Sequence, residues 1–290
     1  MKAVIFALSA QKSLMPLSYY KPDCLLPVAN RPILDYAVSR LFLAGIKDLF
    51  LIVGENSGAV EEYARGYLDL KIHILRYPNY NLRDLLSDNE RIIVVDPMLL
   101  NLSALVLPEF DEETLLMIES TASGRHSGTY IISAEVLGYV SNAHGSACDL
   151  ASEALLMGAK TLYFKSEGYN KRVRDIESYY TANFDLMRKY YPEARRLDKN
   201  RNRRLGSSLI SSSALVSGRV KDCIIGDGAV IPSSANLTRC IVLPGQYVPF
   251  SSRGNIIGRD FTVNPLLSGV NLVNSENTTN IFRLFAEIKL

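Results

Sequence analysis

Side chains able to do chemistry are few in this chain and stand apart from one another. The four cysteines, Cys24, Cys148, Cys223 and Cys240, form no CxxC pair, and His73, His126 and His144 lie in unrelated contexts. Neither the close thiolates of a zinc cage nor a redox dithiol is indicated, so free thiols and no metal site are expected. The densest charged run contains Arg195, Arg196, Lys199, Arg201, Arg203 and Arg204 and separates two differently patterned regions. It reads first as a solvated linker, with a contact for phosphate or another anion as the second reading. The chain carries 32 basic and 30 acidic residues, a net charge of +2. That balance gives no reason to expect a nucleic-acid partner, which would need a concentrated basic face.

The elements that must position any site are easier to read. With 290 residues, 48% of them hydrophobic, the chain can bury a sizeable core, and disorder is not expected. No apolar run approaches the roughly 18 residues needed to span a bilayer. The N-terminus has no small-residue cleavage site, and Ser18-Tyr19-Tyr20-Lys21 is polar, so a cytoplasmic protein without a membrane partner is expected. Lys2 to Ala7 (KAVIFA), Leu49 to Val53 (LFLIV), Lys71 to Leu75 and Arg91 to Val95 (RIIVV) are apolar runs of strand length. Between them Arg31 to Ala44 has helical spacing at Ile33, Tyr36, Ala37, Leu41 and Ala44, with Gly45 placed to end it, and Ala59 to Tyr67 and Leu82 to Leu86 read as helices. Strands alternating with helices predict an α/β domain with a doubly wound, mostly parallel sheet. Strands at Leu115 to Glu119, Gly128 to Ser133 and Lys160 to Lys165 follow, with helices near Ala147 to Met157 and from Ile176 to Tyr190.

Around Leu205 the pattern changes, which predicts two domains, 1–204 and 205–290. Apolar residues then recur every six positions, at Leu209 and Leu215, Ile224 and Val230, Ile241 and Tyr247, and the segments IIGDGA, VIPSSA and IVLPGQ place small or turn-forming residues after them. Such hexads predict a parallel β-helix, against an ordinary antiparallel β-domain with glycine-rich turns. Asn280 to Leu290 is apolar at Ile281, Leu284, Phe285 and Ile288, a helical stripe expected to cap the coil or to pack on a partner subunit.

Three blocks of the opening, PLSYYKP, LLPVANRPILDY and AGIKDLFLIVG, fall in the order and at the spacing of the N-terminus of sugar-1-phosphate nucleotidyltransferases. This family includes mannose-1-phosphate guanylyltransferases and glucose-1-phosphate adenylyl- and thymidylyltransferases. SGTYIISAEVL at Ser127 to Leu137 resembles the family's sugar-side strand and turn, and GYNKRVRDIESYYTANFDLM at Gly168 to Met187 resembles its closing motif. The resemblance covers nearly the whole chain and implies a nucleotide-diphospho-sugar transferase-like fold, with a left-handed hand for the C-terminal β-helix.

What the resemblance implies for the site is loss. The family's first strand is followed by a GGxGTR loop, whose glycines let backbone N–H groups approach the nucleotide phosphates and whose Arg stabilises their charge. Here the loop reads Leu8-Ser9-Ala10-Gln11-Lys12-Ser13. No glycine remains, Ser13 stands at the Arg position, the Cβ atoms of Leu8 and Gln11 crowd the loop, and Lys12 lacks the planar fork of an Arg. Asp23 replaces the Lys of the PKPLLPV-like stretch and would repel a phosphate. The family holds magnesium with an Asp after the central strand and a second Asp in the closing motif. Here Pro97 stands at the first position, unless a one-residue slip makes it Asp96, and Arg172 stands at the second. A guanidinium cannot ligate Mg²⁺, though it can neutralise a phosphate without metal. The stretches from Leu75 to Arg91 and from Asp96 to Ser127 are too short for the family's base-holding and sugar-binding segments, Glu119 and Ser120 standing as the remnant of an EKP-type element.

These departures predict a catalytically degenerate homologue with no catalytic residue, no metal site and no cofactor, acting as a regulatory or structural subunit. Two other readings stand beside it: an active nucleotidyltransferase using Lys12, Asp96 and Arg172 with Mg²⁺, and a sensor that binds a nucleotide or sugar phosphate. A homo-oligomer, or a hetero-oligomer with an active paralogue, is expected because β-helix coils stack and the apolar tail can be shared.

Overall fold

The computed structural model describes residues 1–8, 12–19, 21–55, 57–109, 111, 113–141, 144–190, 202–266 and 270–272. The tail at 280–290 and basic residues 195, 196, 199 and 201 lie outside these. The chain forms two compact units, one of Met1–Leu26 with Pro32–Arg174, the other of Pro27–Arg31 with the residues from Asp175 onward. Among the described residues no helix is long and apolar enough to cross a membrane.

The first unit is built on a seven-stranded sheet. Its strands are β1 (Lys2–Phe6), β2 (Asp48–Val53), β3 (Lys71–Arg76), β4 (Arg91–Val95), β6 (Leu116–Ser120), β7 (His126–Ser133) and β8 (Thr161–Lys165), and the short β5 (Leu99–Asn101) and β9 (Asn170–Arg172) pair separately. The order across the sheet is β8-β6-β7-β4-β1-β2-β3. β1 pairs in parallel with β2 and β4, β2 with β3 and β8 with β6, whereas β7 runs antiparallel to β4 and β6. The apolar runs of β1, β2 and β4 are almost wholly buried, as expected of parallel strands covered on both faces. Val4, Phe6, Ile52, Val94, Ile118 and Tyr130 share one core cluster with Leu150 and Ala151 of the helix Ala147–Leu156.

Helix α1 (Ile33–Leu43) ends where Gly45 takes a left-handed φ of 80°. The Gly45 N–H then bonds the Phe42 carbonyl at 2.9 Å and the Ile46 N–H bonds that of Leu41 at 3.0 Å, the exit that glycine permits without strain. The stretch expected as a helix at Leu82 to Leu86 is a single 3-10 turn, Arg83–Leu85. The last predicted helix is α-helical only over Ile176–Asp185, where a capping box between Asp175 and Ser178 starts it, and continues as one π turn, Leu186–Tyr190. After β1 the chain adds β2 and β3 on one side and then β4 on the other. In sheets of this kind the crevice at the carboxyl ends of the strands flanking the reversal is where ligands sit, so the residues following Phe6 and Val95 line the candidate site.

In the second unit the strands between Ser208 and Gly258 stack in three parallel ladders, and Phe261–Val263 and Val270–Leu272 add to the first of them antiparallel. Leu209, Ile224, Ile241 and Ile256 are register partners in the first, Leu215, Val230 and Tyr247 in the second, and Val220, Leu237 and Ser252 in the third. Serines stitch the rungs: Ser208 Oγ accepts from the Cys223 N–H at 3.0 Å, Ser213 Oγ from Gly228 at 3.0 Å and Ser251 Oγ from Asn236 at 3.1 Å. The sixfold spacing is present, but its phase in the second ladder differs from the sequence reading. Leu215 and Tyr247 are 65% and 64% exposed, and the interior is filled by Ile225, Ile231, Leu237, Val242 and Val248. Successive side chains of a strand point to opposite faces, so a pair of adjacent apolar residues hides which one faces in. Pro27–Arg31 also lies in this unit. The Ala29 N–H bonds Asn183 Oδ1 at 2.8 Å, Tyr179 Oη donates to the Pro27 carbonyl at 2.5 Å, and Asn30 Nδ2 donates to the Ile225 carbonyl at 2.8 Å. Arg204, the described end of the basic run, donates to the Met187 carbonyl.

Candidate functional site

After β1, Leu8 packs half-buried against the core cluster of the sheet. Ser9 and Gln11 lie outside the described residues. Lys12 begins the 3-10 turn Lys12–Leu14, and Ser13 is exposed and donates its hydroxyl proton to the Arg174 carbonyl. That hydroxyl is thus spent on a backbone contact. Asp23 is buried in the turn Asp23–Leu25, whose last carbonyl bond runs from the Leu26 N–H to the Asp23 oxygen at 3.1 Å. Burial and the Asp23 charge together push the neighbouring Cys24 thiol up to about 12.

Across the crevice the structure brings Asp96 and Arg172 together. Asp96 directly follows β4, its backbone N–H bonding the Gly128 carbonyl at 2.8 Å and one carboxylate oxygen accepting the Met98 N–H at 2.9 Å. Arg172 ends β9, which pairs antiparallel with β5 and sets Arg172 opposite Leu99. That ribbon carries the guanidinium back over the end of β4, where Arg172 Nη2 lies 3.2 Å from Asp96 Oδ2. Side-chain exposures of 12% for Asp96 and 37% for Arg172 make this a half-buried pair. Burial raises the Asp96 carboxyl above its ordinary range, and the Arg172 charge and the Met98 N–H oppose the rise.

His126 and Tyr130, which the sequence reading passed over, stand beside the pair. Tyr130 Oη and His126 Nδ1 are 2.9 Å apart. Burial, then the Arg172 charge, lowers the imidazole's proton affinity, so it is neutral near pH 7, and burial raises the phenol. The available signal was the alternation of β7, which puts residues 126, 128 and 130 on one face.

Glu119 is absent from the crevice. It is 1% exposed and forms an ion pair with Arg40, itself 7% exposed. Arg40 reaches from α1, also donating to Thr129 Oγ1 at 2.7 Å and the Ser103 carbonyl at 2.9 Å, and Glu119 accepts from Ser127 Oγ and from Asn101 Nδ2 at 3.2 Å. Ser120 donates to the Phe164 carbonyl at 3.2 Å. Glu119 thus sits in a closed internal network, and Arg40 is the partner that sequence reasoning missed.

Magnesium would need free carboxylate oxygens here. Asp96 offers one side chain already held by a guanidinium, and among the described residues no three His, Cys, Asp or Glu side chains gather. The residues do not fit a divalent cation.

Replacing Arg172 with Ala is expected to cost about 1–2 kcal/mol, below the loss for a fully buried pair because the Arg is partly solvated. A carboxyl whose folded-state pKa is raised holds its proton longer in the native state, so its contribution favours folding at low pH and declines as pH rises through and above the ordinary aspartate range. Without Arg172 the carboxyl rises further, and the decline should extend to higher pH. Urea unfolding at stepped pH checks this; identical pH profiles for both proteins would refute it.

The first unit is thus an α/β domain with a mostly parallel sheet and a polar cluster at the carboxyl end of β4. No family model matches the chain. A protein named UTP–glucose-1-phosphate uridylyltransferase, from Methanocaldococcus jannaschii, is 30% identical over 91 residues, 31% of this chain and 32% of that protein. The epsilon subunit of translation initiation factor eIF2B from Schizosaccharomyces pombe is 33% identical over 63 residues, 22% of this chain and 9% of that one. A crystal structure described as a Bacillus anthracis glucose-1-phosphate thymidylyltransferase with sucrose superposes with a TM-score of 0.47 at 16% identity, covering 63% of this chain and 94% of that one. The two sequence matches bear out the resemblance read from the opening residues, at low identity and over less than a third of this chain. The chain matches about a third of the length of the first of these relatives and a smaller share of the second.

Proposed function

We propose that this chain is a catalytically degenerate relative of the sugar-1-phosphate nucleotidyltransferases, acting in the cytoplasm as a regulatory or structural subunit of a homo-oligomer or of a complex with an active paralogue. The observation that carries this reading is the Asp96–Arg172 ion pair at 3.2 Å. A charge pair that satisfies itself where a metal and phosphates would be held leaves no net field to bind either. Leu8 packed against the core and Ser13 bound to a backbone carbonyl support it, and the likeness to a protein named as a subunit accords with a subunit role. We further infer that the three ladders of the second unit wind as a left-handed β-helix.

The test is to incubate the pure protein with each nucleoside triphosphate, Mg²⁺ and a panel of sugar 1-phosphates. Pyrophosphate release no greater than that of a heat-treated control is expected; turnover above the control would overturn the reading in favour of an active enzyme. Calorimetry with the same ligands should show no heat at millimolar concentration, and a saturable signal would instead support a sensor.

A further inference from the structure

The strands of the second unit carry a charge that the whole chain does not. Between Asn202 and Leu266 there are seven basic residues and three acidic ones, against a net charge of +2 for the whole chain. The three acids have local partners: Asp222 lies 3.9 Å from Arg188, Asp227 accepts from Ser211 and Ser213, and Asp260 lies 4.0 Å from Arg259. Arg219, Lys221, Arg239 and Arg253 are all exposed, and none of the ion pairs among the described residues includes them.

Three of these cations stand on one ladder. Arg219–Lys221 pairs in parallel with Asn236–Thr238, and that strand pairs with Ser252–Arg253. Val220 and Leu237 turn toward the interior, where Leu237 is fully buried, so the flanking residues of each strand point outward. Lys221, Thr238 and Arg253 are register partners, and with rungs about 4.8 Å apart the two cations stand about 10 Å from each other across a hydroxyl. Arg219 lies about 7 Å along the strand from Lys221. Asn236 completes the outward positions of these strands, which hold no acid and no aromatic ring, while Ser252, the register partner of Leu237, faces inward.

We propose that this face docks an acidic segment of a partner protein in extended conformation. Side chains on one face of an extended chain recur about every 7 Å, the Arg219–Lys221 spacing, so successive carboxylates on that face meet successive cations. The Asn236 amide and the Thr238 hydroxyl between them can bond its backbone. A single-stranded nucleic acid would need ring faces on which to stack its bases, and the ladder offers none. The proposal stands independently of any activity of the first unit.

The experiment measures fluorescence polarisation of a fluorescein-labelled oligoglutamate with the full chain at low salt. Binding that weakens as salt is raised is expected, together with a loss of roughly tenfold or more in the variant R219E/K221E/R253E and none in the control K71E. Circular dichroism and melting verify that the triple variant is folded; if it is not, Lys221→Gln and Arg253→Gln singly carry the test, each with roughly a threefold loss. No oligoglutamate binding at low salt, equal binding by the charge variants, or tighter binding of a single-stranded oligonucleotide of equal charge would each overturn the proposal.

Discussion

Glu119→Ala is expected to remove about 3–5 kcal/mol of folding free energy, the usual result of deleting one partner of a buried ion pair. Glu119 and Arg40 are both almost wholly enclosed, so the remaining guanidinium cannot recover its solvation. Ser127 Oγ would also lose its acceptor and Asn101 Nδ2 one of its two, Ser166 Oγ remaining, and a buried donor without a partner is costly. Chemical denaturation measures the loss directly. A double-mutant cycle tests the cause: Arg40→Met with Glu119→Leu removes both charges together, and should cost less than the sum of the two single changes because no uncompensated charge remains. Additive losses would show that the pair is not coupled. This network does not touch the Asp96–Arg172 pair by charge, yet Asn101 belongs to β5, the strand that holds β9 and therefore Arg172. Loosening it should also lower the protection of β9 amides in hydrogen exchange.

Gly128→Ala is expected to cost about 3 kcal/mol, from two sources that a control separates. Gly128 has φ of 81°, a conformation costly for any residue with a Cβ, and an added Cβ would lie 2.6 Å from Leu99 Cδ1 and 2.8 Å from Leu99 Cβ. Backbone strain contributes about 1–2 kcal/mol and overpacking about 1–3 kcal/mol. Gly124 has φ of 77° with nothing within 4 Å of its would-be Cβ, so Gly124→Ala should show the strain alone. The difference between the two denaturation midpoints isolates the clash. Leu99 is the register partner of Arg172, and the Gly128 carbonyl accepts the Asp96 N–H, so relief of the clash must shift both ends of the ion pair. A loss at Gly128 no larger than at Gly124 would mean that Leu99 yields freely and that the site is softer than its contacts suggest.

Much of the fold was legible because parallel strands buried on both faces read as unbroken apolar runs. β1, β2 and β4 fall within a residue or two of the runs KAVIFA, LFLIV and RIIVV, and Gly45 ends α1 as its position implied. The sixfold spacing after Leu205 was visible for the same reason: interior positions must be apolar or small. Its phase was not, since Ile224-Ile225 and Ile241-Val242 offer two adjacent apolar residues, and which faces inward depends on what covers the other side.

The sequence by itself determined which residue types stand where the resemblance looks for charge: no glycine from Leu8 to Ser13, and Ser13, Asp23 and Arg172 where it implies Arg, Lys and Asp. Residue type at a position is set by the chain and is not changed by folding. The tertiary structure alone decided what the remaining charges do, placing Asp96 against Arg172 and Glu119 against Arg40. Neither partnership has a local signature, because partners distant along the chain meet only when the sheet order and the β5–β9 ribbon are set, and a buried charge takes whichever opposite charge the fold brings within a few ångströms.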